Sequence, residues 1–527
     1  MGVRSRVRAG AVAIGLLALV AGCTASVVDG TGHAGKPSGS RPAPGSPSTA
    51  VSAPTPEPAD FHDCSSGINV SLLGLPQARL AQLRFECATV AVPTDYADPS
   101  GNQLELVLLR VHDTTDPAPI GSLLVNPGGP GGSGVELALG LLQKLPATIL
   151  AHFDLVGFDP RGVGLSAPVD CLSDSEQDQY DAASPDVLTA GGFAAAKAIA
   201  QGFASKCNAK YGDSLAEYNT VQTARDMDQV RQAVGDDKLN YLGFSYGTEL
   251  GAQYLHLFPH NVRVAVLDGA VDPLYGPIES AAKQLQGFED AFDQFAGWCR
   301  THEPCSGIGE PRQAVYDIVA AARRQPQPAT GDSRRVSVSL ALTGVSEALY
   351  SRPEWPTLGQ ALVDGTAGEG KGLLDLADRY YQRYHGQYTN LFDAFNTISC
   401  NDSPPGPSDT TIRATAQRWA TRYPMFGLSF AAGLFTCQQW QPQRTVPPLP
   451  TAPDTAAKIL VIGNLHDPAT PYQGAVDLTK TLGNAELLSW DGQGHTSYLE
   501  GSSCVDDYVN AYLVKGTLPP ASTTCPP

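Results

Sequence analysis

Ser245 is the residue of this sequence that is best placed to do chemistry. It lies in segment 243–247, whose sequence GFSYG matches the pattern GxSxG. An apolar, strand-like stretch (LNYLG) leads into this segment, and a helical pattern begins at Thr248. Small residues at Gly243 and Gly247 allow a sharp turn from strand to helix, which leaves the serine hydroxyl exposed in a strained conformation. The pattern therefore predicts a nucleophilic serine.

A serine hydroxyl needs a base that accepts its proton and an acid that orients the base. Both residue types follow later in the chain, each after a strand-like stretch. Asp467 comes after KILVIG, and His495 comes after AELLS. His466 is a second candidate for the base, but it directly precedes the acid, and we interpret it as a loop residue. We expect a catalytic triad of Ser245, Asp467 and His495.

Acyl transfer also needs two hydrogen-bond donors that point at the developing oxyanion. The backbone N–H of Tyr246, directly after the serine, is the first candidate. The second should come from the glycine-rich segment 126–134 (NPGGPGGSG). Pro127 and Pro130 have no N–H to donate, so Gly129 is our candidate. The segment contains neither GKS nor GKT, so we do not expect a phosphate-binding loop.

Apolar stretches predict the sheet that positions these residues. Two of them, 86–93 and 104–111, predict an antiparallel pair at the entry to the sheet. Helical patterns such as 220–234 and 248–258 lie among the later stretches. This alternation predicts an α/β fold with a mainly parallel sheet and helices on both faces. The remaining predicted strands are 122–126, 153–158, 239–243, 262–267, 458–463 and 485–489.

The character of the chain changes between residues 273 and 450, where strand-like stretches nearly vanish. Amphipathic helical patterns dominate there. Strand patterns resume after this segment, so we interpret it as a helical lid inserted into a core that comprises residues 61–272 and 451–527. Enlargement of the core is the alternative. The predicted lid helices are 280–300, 311–324, 340–350, 373–384 and 408–422.

The N-terminus has the features of an export signal. Three arginines precede an apolar run that is too short to span a bilayer comfortably as a mature helix. We therefore interpret residues 1–22 as a signal peptide. Its end, VAGC, resembles a bacterial lipobox, in which Cys23 is acylated after cleavage; an ordinary secretory signal is the alternative. Residues 23–60, rich in Pro, Ser and Gly, predict a flexible tether. We expect an exported lipoprotein that is anchored to the outer face of the membrane or released from it.

Composition excludes two classes of protein. Hydrophobic residues make up 42% and charged residues 17% of the 527 positions, which excludes wholesale disorder. The signal peptide holds three of the 35 basic and none of the 53 acidic residues, so its removal leaves a net charge of −21. A charge of this sign repels phosphate backbones, and nucleic acid is not an expected partner.

Ten cysteines remain when Cys23 is set aside. An even number in an oxidising compartment predicts five disulfides. Many connectivities are possible, and we expect consecutive pairing because each successive pair falls within one stretch of the chain. No CxxC occurs and the histidines do not cluster with the cysteines, so no metal site is expected. The ten are Cys64, Cys87, Cys171, Cys207, Cys299, Cys305, Cys400, Cys437, Cys504 and Cys525.

Several motifs together resemble one family. They are NPGGPGGSG, FDPRGVGLS, GFSYGT, VLDG, the Asp467 loop and the GQGH box that ends at His495. In this order they resemble the tripeptidyl aminopeptidase branch of the proline iminopeptidase-like α/β-hydrolases, which includes exported serine peptidase lipoproteins of mycobacteria and related actinobacteria. The resemblance extends from about residue 64 to residue 504. It implies an α/β-hydrolase fold with an inserted helical lid, and release of short peptides from N-termini through an acyl-enzyme on Ser245.

An aminopeptidase must also hold the free ammonium group of its substrate, a charge that is costly to bury unpaired. Members of the resembled family place carboxylates in or near the lid for this purpose. Asp402 is the first candidate here, because a disulfide at Cys400 could hold it in place; a solvated loop residue is the alternative. Glu249 is the second candidate. The expected substrate is a peptide or protein. No cofactor is expected, because the triad and the oxyanion hole supply all the groups that the reaction needs.

Two other functions stay open from the sequence. A carboxylesterase or lipase would use the same triad with a different pocket. A catalytically silent surface-binding protein could keep the hydrolase scaffold, although the intact triad argues against it. No heptad pattern demands an oligomer, so the oligomeric state is open.

Overall fold

A computed structural model describes residues 55–115, 119–441, 454–455 and 457–527. The predicted signal peptide 1–22, the lipidation site Cys23 and most of the tether 23–60 lie outside these residues. In the part of the chain that is described, no helix has the length and apolar character needed to cross a bilayer.

Among the described residues, ten strands form one sheet, in the order β1-β2-β3-β5-β4-β6-β7-β12-β13-β14, and four short strands form two separate hairpins. The strands are β1 (His62–Asp63), β2 (Leu83–Pro93), β3 (Gln103–Asp113), β4 (Gly121–Asn126), β5 (Phe153–Phe158), β6 (Leu239–Phe244), β7 (Val262–Asp268), β8 (Gln327–Pro328), β9 (Arg335–Val336), β10 (Arg383–Tyr384), β11 (Gln387–Tyr388), β12 (Ile459–His466), β13 (Ala485–Gln493) and β14 (Thr524–Cys525).

The sheet begins antiparallel and continues parallel. Pairing is antiparallel between β1 and β2, between β2 and β3, and between β3 and β5. The register of β2 and β3 runs from Leu83 opposite Asp113 to Pro93 opposite Gln103. All pairs from β5 through β4, β6, β7, β12 and β13 to β14 are parallel. The predicted antiparallel entry and the mainly parallel sheet are both confirmed.

Seventeen α-helices are present among the described residues. They are α1 (Gln77–Leu80), α2 (Gly134–Leu141), α3 (Ala147–His152), α4 (Asp174–Ala182), α5 (Ala190–Tyr211), α6 (Thr220–Ala233), α7 (Tyr246–Leu257), α8 (Pro277–Cys299), α9 (Pro311–Arg324), α10 (Val338–Leu349), α11 (Trp355–Thr366), α12 (Lys371–Tyr380), α13 (Leu391–Asp402), α14 (Asp409–Arg422), α15 (Gly427–Gln438), α16 (Gln473–Leu482) and α17 (Ser503–Lys515).

Helices cover both faces of the sheet, which is why its central strands are apolar throughout. All six residues of β6 are buried. Tyr241 of this strand packs with residues of α6, α7 and α16, whereas Leu242 packs with residues of α2, α3 and α17. Because successive side chains of a strand point to opposite faces, a strand between two helical layers needs apolar residues at every position.

Helices dominate the described part of the segment between β7 and β12, which also holds the short strands β8 to β11. Five of its helices, α8, α9, α10, α12 and α14, overlap predicted ones. Helices α11, α13 and α15 do not correspond to a predicted helix. Glycines at Gly359, Gly365, Gly427 and Gly433 weaken the intrinsic helix preference of α11 and α15. Burial of Trp355, among others, in the shared apolar cluster compensates for this weakness.

Two further helices pack against this helical segment although they precede it in the chain. Helices α4 and α5 follow β5, and Phe193 of α5 meets Phe435 of α15 edge to face at 4.8 Å between ring centroids. Val187 and Phe193 belong to the same apolar cluster as α8 to α12. We use the name helical unit for α4, α5 and α8 to α15 together.

The ten cysteines of the folded part form five disulfides in consecutive order, which is the predicted pairing. The bonds are Cys64–Cys87, Cys171–Cys207, Cys299–Cys305, Cys400–Cys437 and Cys504–Cys525.

Candidate active site

Ser245 occupies the sharp turn between β6 and α7. Its backbone dihedrals are φ 55° and ψ −125°, a strained combination for a residue with a side chain. The turn leaves no room for a side chain at Gly243, where an added Cβ atom would lie 2.5 Å from the carbonyl oxygen of Gly247. The N–H of Ser245 donates to the carbonyl of Asp268 at 2.9 Å. The strained strand-to-helix turn expected from GxSxG is therefore present.

Asp467 and His495 meet at the neighbouring strand ends. Strands β12 and β13 are parallel neighbours, so the loops that follow them lie at one edge of the sheet. His495 Nδ1 lies 2.9 Å from each carboxylate oxygen of Asp467. The side chain of Asp467 is fully buried and also accepts hydrogen bonds from the backbone of Ala469, Thr470 and Thr496. These donors hold the carboxylate in a single orientation towards the imidazole.

Strand β7 ends between the serine and the imidazole. Asp268 accepts the hydrogen bond from Ser245, and a Cβ atom added at Gly269 would lie 3.3 Å from His495 Cε1. The carboxylate of Asp268 accepts the N–H groups of Ser497 and Tyr498. Burial, opposed in part by these hydrogen bonds, raises the pKa of Asp268 to about 7. The serine turn and the His495 loop therefore both contact the end of β7, at one edge of the sheet.

The environment of His495 makes it more basic. Burial lowers the pKa of His495, but the charge of Asp467 and the hydrogen bond to it outweigh burial, so the pKa lies above the ordinary value of 6.5. The Nδ1 position faces Asp467, which leaves Nε2 as the nitrogen that can exchange a proton with substrate or serine.

This raised pKa predicts the pH dependence of serine reactivity. A general base must be neutral to accept a proton, so we expect the rate of serine modification to fall as the pH decreases through a midpoint above 6.5. The measurement is the second-order rate of labelling by an uncharged fluorophosphonate from about pH 5 to about pH 9. A rate that is constant over this range, or a midpoint below the ordinary histidine value, would contradict the assignment of His495.

The glycine-rich segment lies directly against the serine turn. A Cβ atom added at Gly128 would lie 2.8 Å from the backbone nitrogen of Tyr246 and 2.9 Å from Ser245 Cβ. Gly128 and Gly129 have φ values of 89° and 106°, which favour glycine. Within the described ranges, the N–H groups of Gly129 and Tyr246 donate to no protein acceptor. Both residues line the cavity at Ser245, and their role as oxyanion donors stays a prediction.

A cavity of about 1410 Å³ opens at Ser245, between the sheet edge and the helical unit. This volume exceeds the usual range for small-molecule pockets, about 300–1,000 Å³. Aromatic side chains of the helical unit form part of its wall. They include Phe288, Tyr380, Phe392, Phe395, Phe426 and Phe430.

Asp402 and Glu249 both line this cavity. Asp402 ends α13, next to the Cys400–Cys437 disulfide, and its carboxylate accepts the N–H of Thr220 at 2.9 Å and the hydroxyl of Thr220 at 2.6 Å. Burial raises the pKa of Asp402 to about 7 despite these bonds. The predicted residue therefore lies on the cavity wall, where the helical unit meets α6.

Glu249 lies one helical turn after Ser245 on α7. Burial, together with the negative charges of Asp402 and Asp272, raises the pKa of Glu249 to about 8. Among the described residues, neither Glu249 nor Asp402 forms a salt bridge with Lys, Arg or His. The cavity at Ser245 thus holds two carboxyl groups that lack a cation.

Two family models and several known proteins are similar to this chain. Residues 121–362 match the family model described as alpha/beta hydrolase fold, and residues 423–525 match the one described as TAP-like protein. Over 454 residues the chain is 40% identical to serine protease Hip1 of Mycobacterium tuberculosis, covering 83% of this chain and 87% of that protein. The chain belongs to the α/β-hydrolases. This hydrolase is similar to two further curated proteins. It is 42% identical to carboxylesterase B of Mycobacterium tuberculosis, covering 84% of this chain and 86% of that protein.

The second is tripeptidyl aminopeptidase of Streptomyces lividans, to which the hydrolase is 30% identical, covering 89% of this chain and 86% of that protein. The family resemblance and the α/β-hydrolase fold expected from the sequence are therefore confirmed. Because its relatives include a serine protease and an aminopeptidase of the α/β-hydrolase family, the protein is a serine hydrolase.

Three residues near the site were not predicted from the sequence. Thr220 binds Asp402, Tyr350 contacts His495, and Asp268 binds the backbone of both the serine turn and the His495 loop. Asp268 was noticed only as part of the VLDG motif. Thr220 and Tyr350 belong to no motif, since each becomes relevant only through a partner more than 100 residues away in the chain.

Proposed function

We propose that this serine hydrolase is an exported aminopeptidase that releases short peptides, chiefly tripeptides, from the N-termini of peptides or proteins. The observation that carries the proposal is the pair of cation-free carboxyl groups, Glu249 and Asp402, in the wall of the cavity at Ser245. Release of tripeptides is proposed from the similarity to the Streptomyces tripeptidyl aminopeptidase.

In the proposed reaction, Ser245 Oγ attacks the scissile carbonyl carbon while His495 Nε2 accepts the hydroxyl proton. Asp467 stabilises the resulting imidazolium, and the N–H groups of Gly129 and Tyr246 bind the oxyanion. The imidazolium then donates its proton to the leaving amine, and the C–N bond breaks. Water repeats the sequence on the ester of Ser245, which releases the N-terminal peptide as a free acid.

Glu249 and Asp402 are proposed to bind the substrate ammonium. Burial raises the pKa of both carboxyl groups, and no cation among the described residues offsets this effect. An ammonium group placed between them supplies such a cation and favours the charged forms. A substrate with a blocked N-terminus brings no positive charge and must bury an amide or an acyl group against two carboxyl groups instead.

Export and lipid attachment are part of the proposal. Residues 1–22 have the pattern of a signal peptide, and the VAGC that ends at Cys23 resembles a lipobox. Five disulfides support an oxidising location, where such bonds persist. The proposed location is the outer face of the cytoplasmic membrane or the cell envelope.

A carboxylesterase is the second candidate, because the protein is 42% identical to carboxylesterase B. An esterase would use the same triad and oxyanion donors. It would have no need for two carboxyl groups in the substrate cavity, and dependence on a free amine therefore separates the two functions.

The test compares a tripeptide amide reporter that has a free N-terminus with its N-acetylated counterpart. We expect kcat/KM to be at least about 30-fold higher for the free form, since leaving a buried charge unpaired costs about 2–5 kcal/mol. Steady-state hydrolysis by residues 61–527 provides the measurement. Equal rates for both reporters, or cleavage of simple esters alone, would refute the aminopeptidase proposal and favour the esterase.

Two isosteric variants identify the amine-binding groups. Glu249→Gln and Asp402→Asn should each reduce the preference for the free amine, mainly through a higher KM, because the ammonium then loses one of its charged partners. Asp290→Asn removes an exposed carboxylate of α8 and serves as the matched control. Retention of the full preference in both cavity variants would mean that other groups bind the amine.

A further inference from the structure

The helical unit contacts the His495 loop directly. The N–H of His495 donates to the carbonyl oxygen of Tyr350, directly after α10, at 2.7 Å. The next residue, Ser351, forms an antiparallel bridge with Gly494. A Cβ atom added at Gly494 would lie 2.7 Å from the Tyr350 oxygen, and its φ of 107° also favours glycine. The backbone on either side of this contact is therefore closely fitted.

The side chain of Tyr350 makes a second contact, with the imidazole itself. The two rings are perpendicular, with an interplanar angle of 90° and 5.4 Å between their centroids. The hydrogen bonds to Asp467 hold only the Nδ1 edge of the imidazole. The ring could still tilt about that edge, and such a tilt would displace Nε2 from Ser245. The perpendicular tyrosine ring opposes this movement.

The other side of Tyr350 reaches residues that line the substrate cavity. Its ring centroid lies 5.7 Å from that of Phe288 and 6.2 Å from that of Tyr380. Both of these residues are part of the cavity wall. Tyr350 thus forms a continuous aromatic contact from the cavity wall of the helical unit to His495.

We propose that Tyr350 is a positioning residue for His495, through which the helical unit holds the imidazole in its reactive orientation. The inference rests on the proposed role of His495 as the base and does not depend on the identity of the substrate. Misplacement of a reacting group by about 1 Å costs about 100-fold in rate. Loss of the tyrosine ring should therefore lower the rate of the chemical step and leave substrate binding nearly unchanged.

The test compares Tyr350→Leu, Tyr350→Phe and Tyr423→Leu. Tyr350→Leu removes the ring, whereas Tyr350→Phe keeps it and loses only the hydroxyl. Tyr423→Leu removes a ring of the same size from the same apolar cluster and is the matched control for packing. Two quantities are measured for each: kcat and KM with the free-amine reporter, and the rate at which a fluorophosphonate labels Ser245. Labelling needs the base but no amine-binding group.

We expect Tyr350→Leu to lower both kcat and the labelling rate by about 10-fold to 100-fold, with KM changed by less than about twofold. Tyr350→Phe and Tyr423→Leu should retain both rates. An unchanged kcat in Tyr350→Leu would overturn the proposal, as would an equal loss in Tyr350→Phe or in Tyr423→Leu. His495→Ala provides the reference: if this variant is labelled at the normal rate, the proposed base itself is wrong, and the inference about Tyr350 fails with it.

Discussion

Replacement of Ser245 with alanine is expected to reduce kcat by about 10⁶-fold, the loss found when a triad serine is removed from a serine protease. The variant lacks the oxygen that forms the acyl-enzyme. It keeps the oxyanion donors of Gly129 and Tyr246 and the whole cavity. Residual activity should therefore equal only what binding and electrostatic stabilisation provide without a covalent intermediate. The measurement is kcat with the free-amine reporter, together with loss of fluorophosphonate labelling.

The control for this variant is another serine of the same cavity. Ser429→Ala alters an exposed residue of the wall on α15 and should retain kcat within about threefold, since substitutions of exposed residues usually have small effects. Labelling that persists in Ser245→Ala would show that a different residue is the nucleophile.

Replacement of Asp467 with asparagine is expected to reduce kcat by about 10⁴-fold, as for a triad whose acid is converted to the amide. The amide nitrogen of asparagine donates where the carboxylate accepts. It would therefore stabilise the imidazole tautomer with its proton on Nε2, which cannot act as a base towards Ser245. The variant also loses the negative charge that keeps the pKa of His495 above its ordinary value. The pH midpoint of serine labelling should move to lower pH in this variant.

The neighbouring His466 and Asp491 provide a matched control. His466 Nε2 lies 3.2 Å from Asp491 Oδ1, and both side chains are partly exposed. Asp491→Asn removes the carboxylate of this second pair and should leave kcat within about twofold of the normal value, since exposed ion pairs contribute about 0–1 kcal/mol. A large loss in Asp491→Asn with normal activity in Asp467→Asn would assign the base to His466 instead.

The strands that hold the candidate triad could be predicted because each strand is a local pattern. The stretches LNYLG and KILVIG are apolar at all but one position, which is typical of strands with helices on both faces. The stretch AELLS holds two polar residues and is a weaker strand signal. In parallel strands, the carboxyl ends lie at one edge of the sheet. Ser245, Asp467 and His495 follow three such strands and therefore gather at that edge, although they are distant in the chain.

The helices of the helical unit could be predicted only where their pattern is amphipathic. Helix α9 has the predicted bounds, Pro311–Arg324, because its apolar residues repeat at helical spacing on a polar background. Helices α13 and α15 were missed. The apolar residues of α15 are spread over most of its surface, so this helix lacks a single apolar face with a matching polar face. The packing of α4 and α5 against the later helices of the unit depends on contacts between distant segments, such as Phe193 with Phe435, and no local pattern records such contacts.

The sequence by itself determined the chemistry of this protein: a serine in a strand-to-helix turn, an acid and a base after later strands, and glycines beside them. These features depend on residue type and on a few neighbouring positions, and backbone sterics and strand pairing then impose their arrangement. Only the tertiary structure decided which side chains of the helical unit reach the site. Thr220 contacts Asp402, and Tyr350 contacts His495, because packing brings distant segments together. The free energy of such a contact depends on neighbours in space, and these have no fixed separation along the chain.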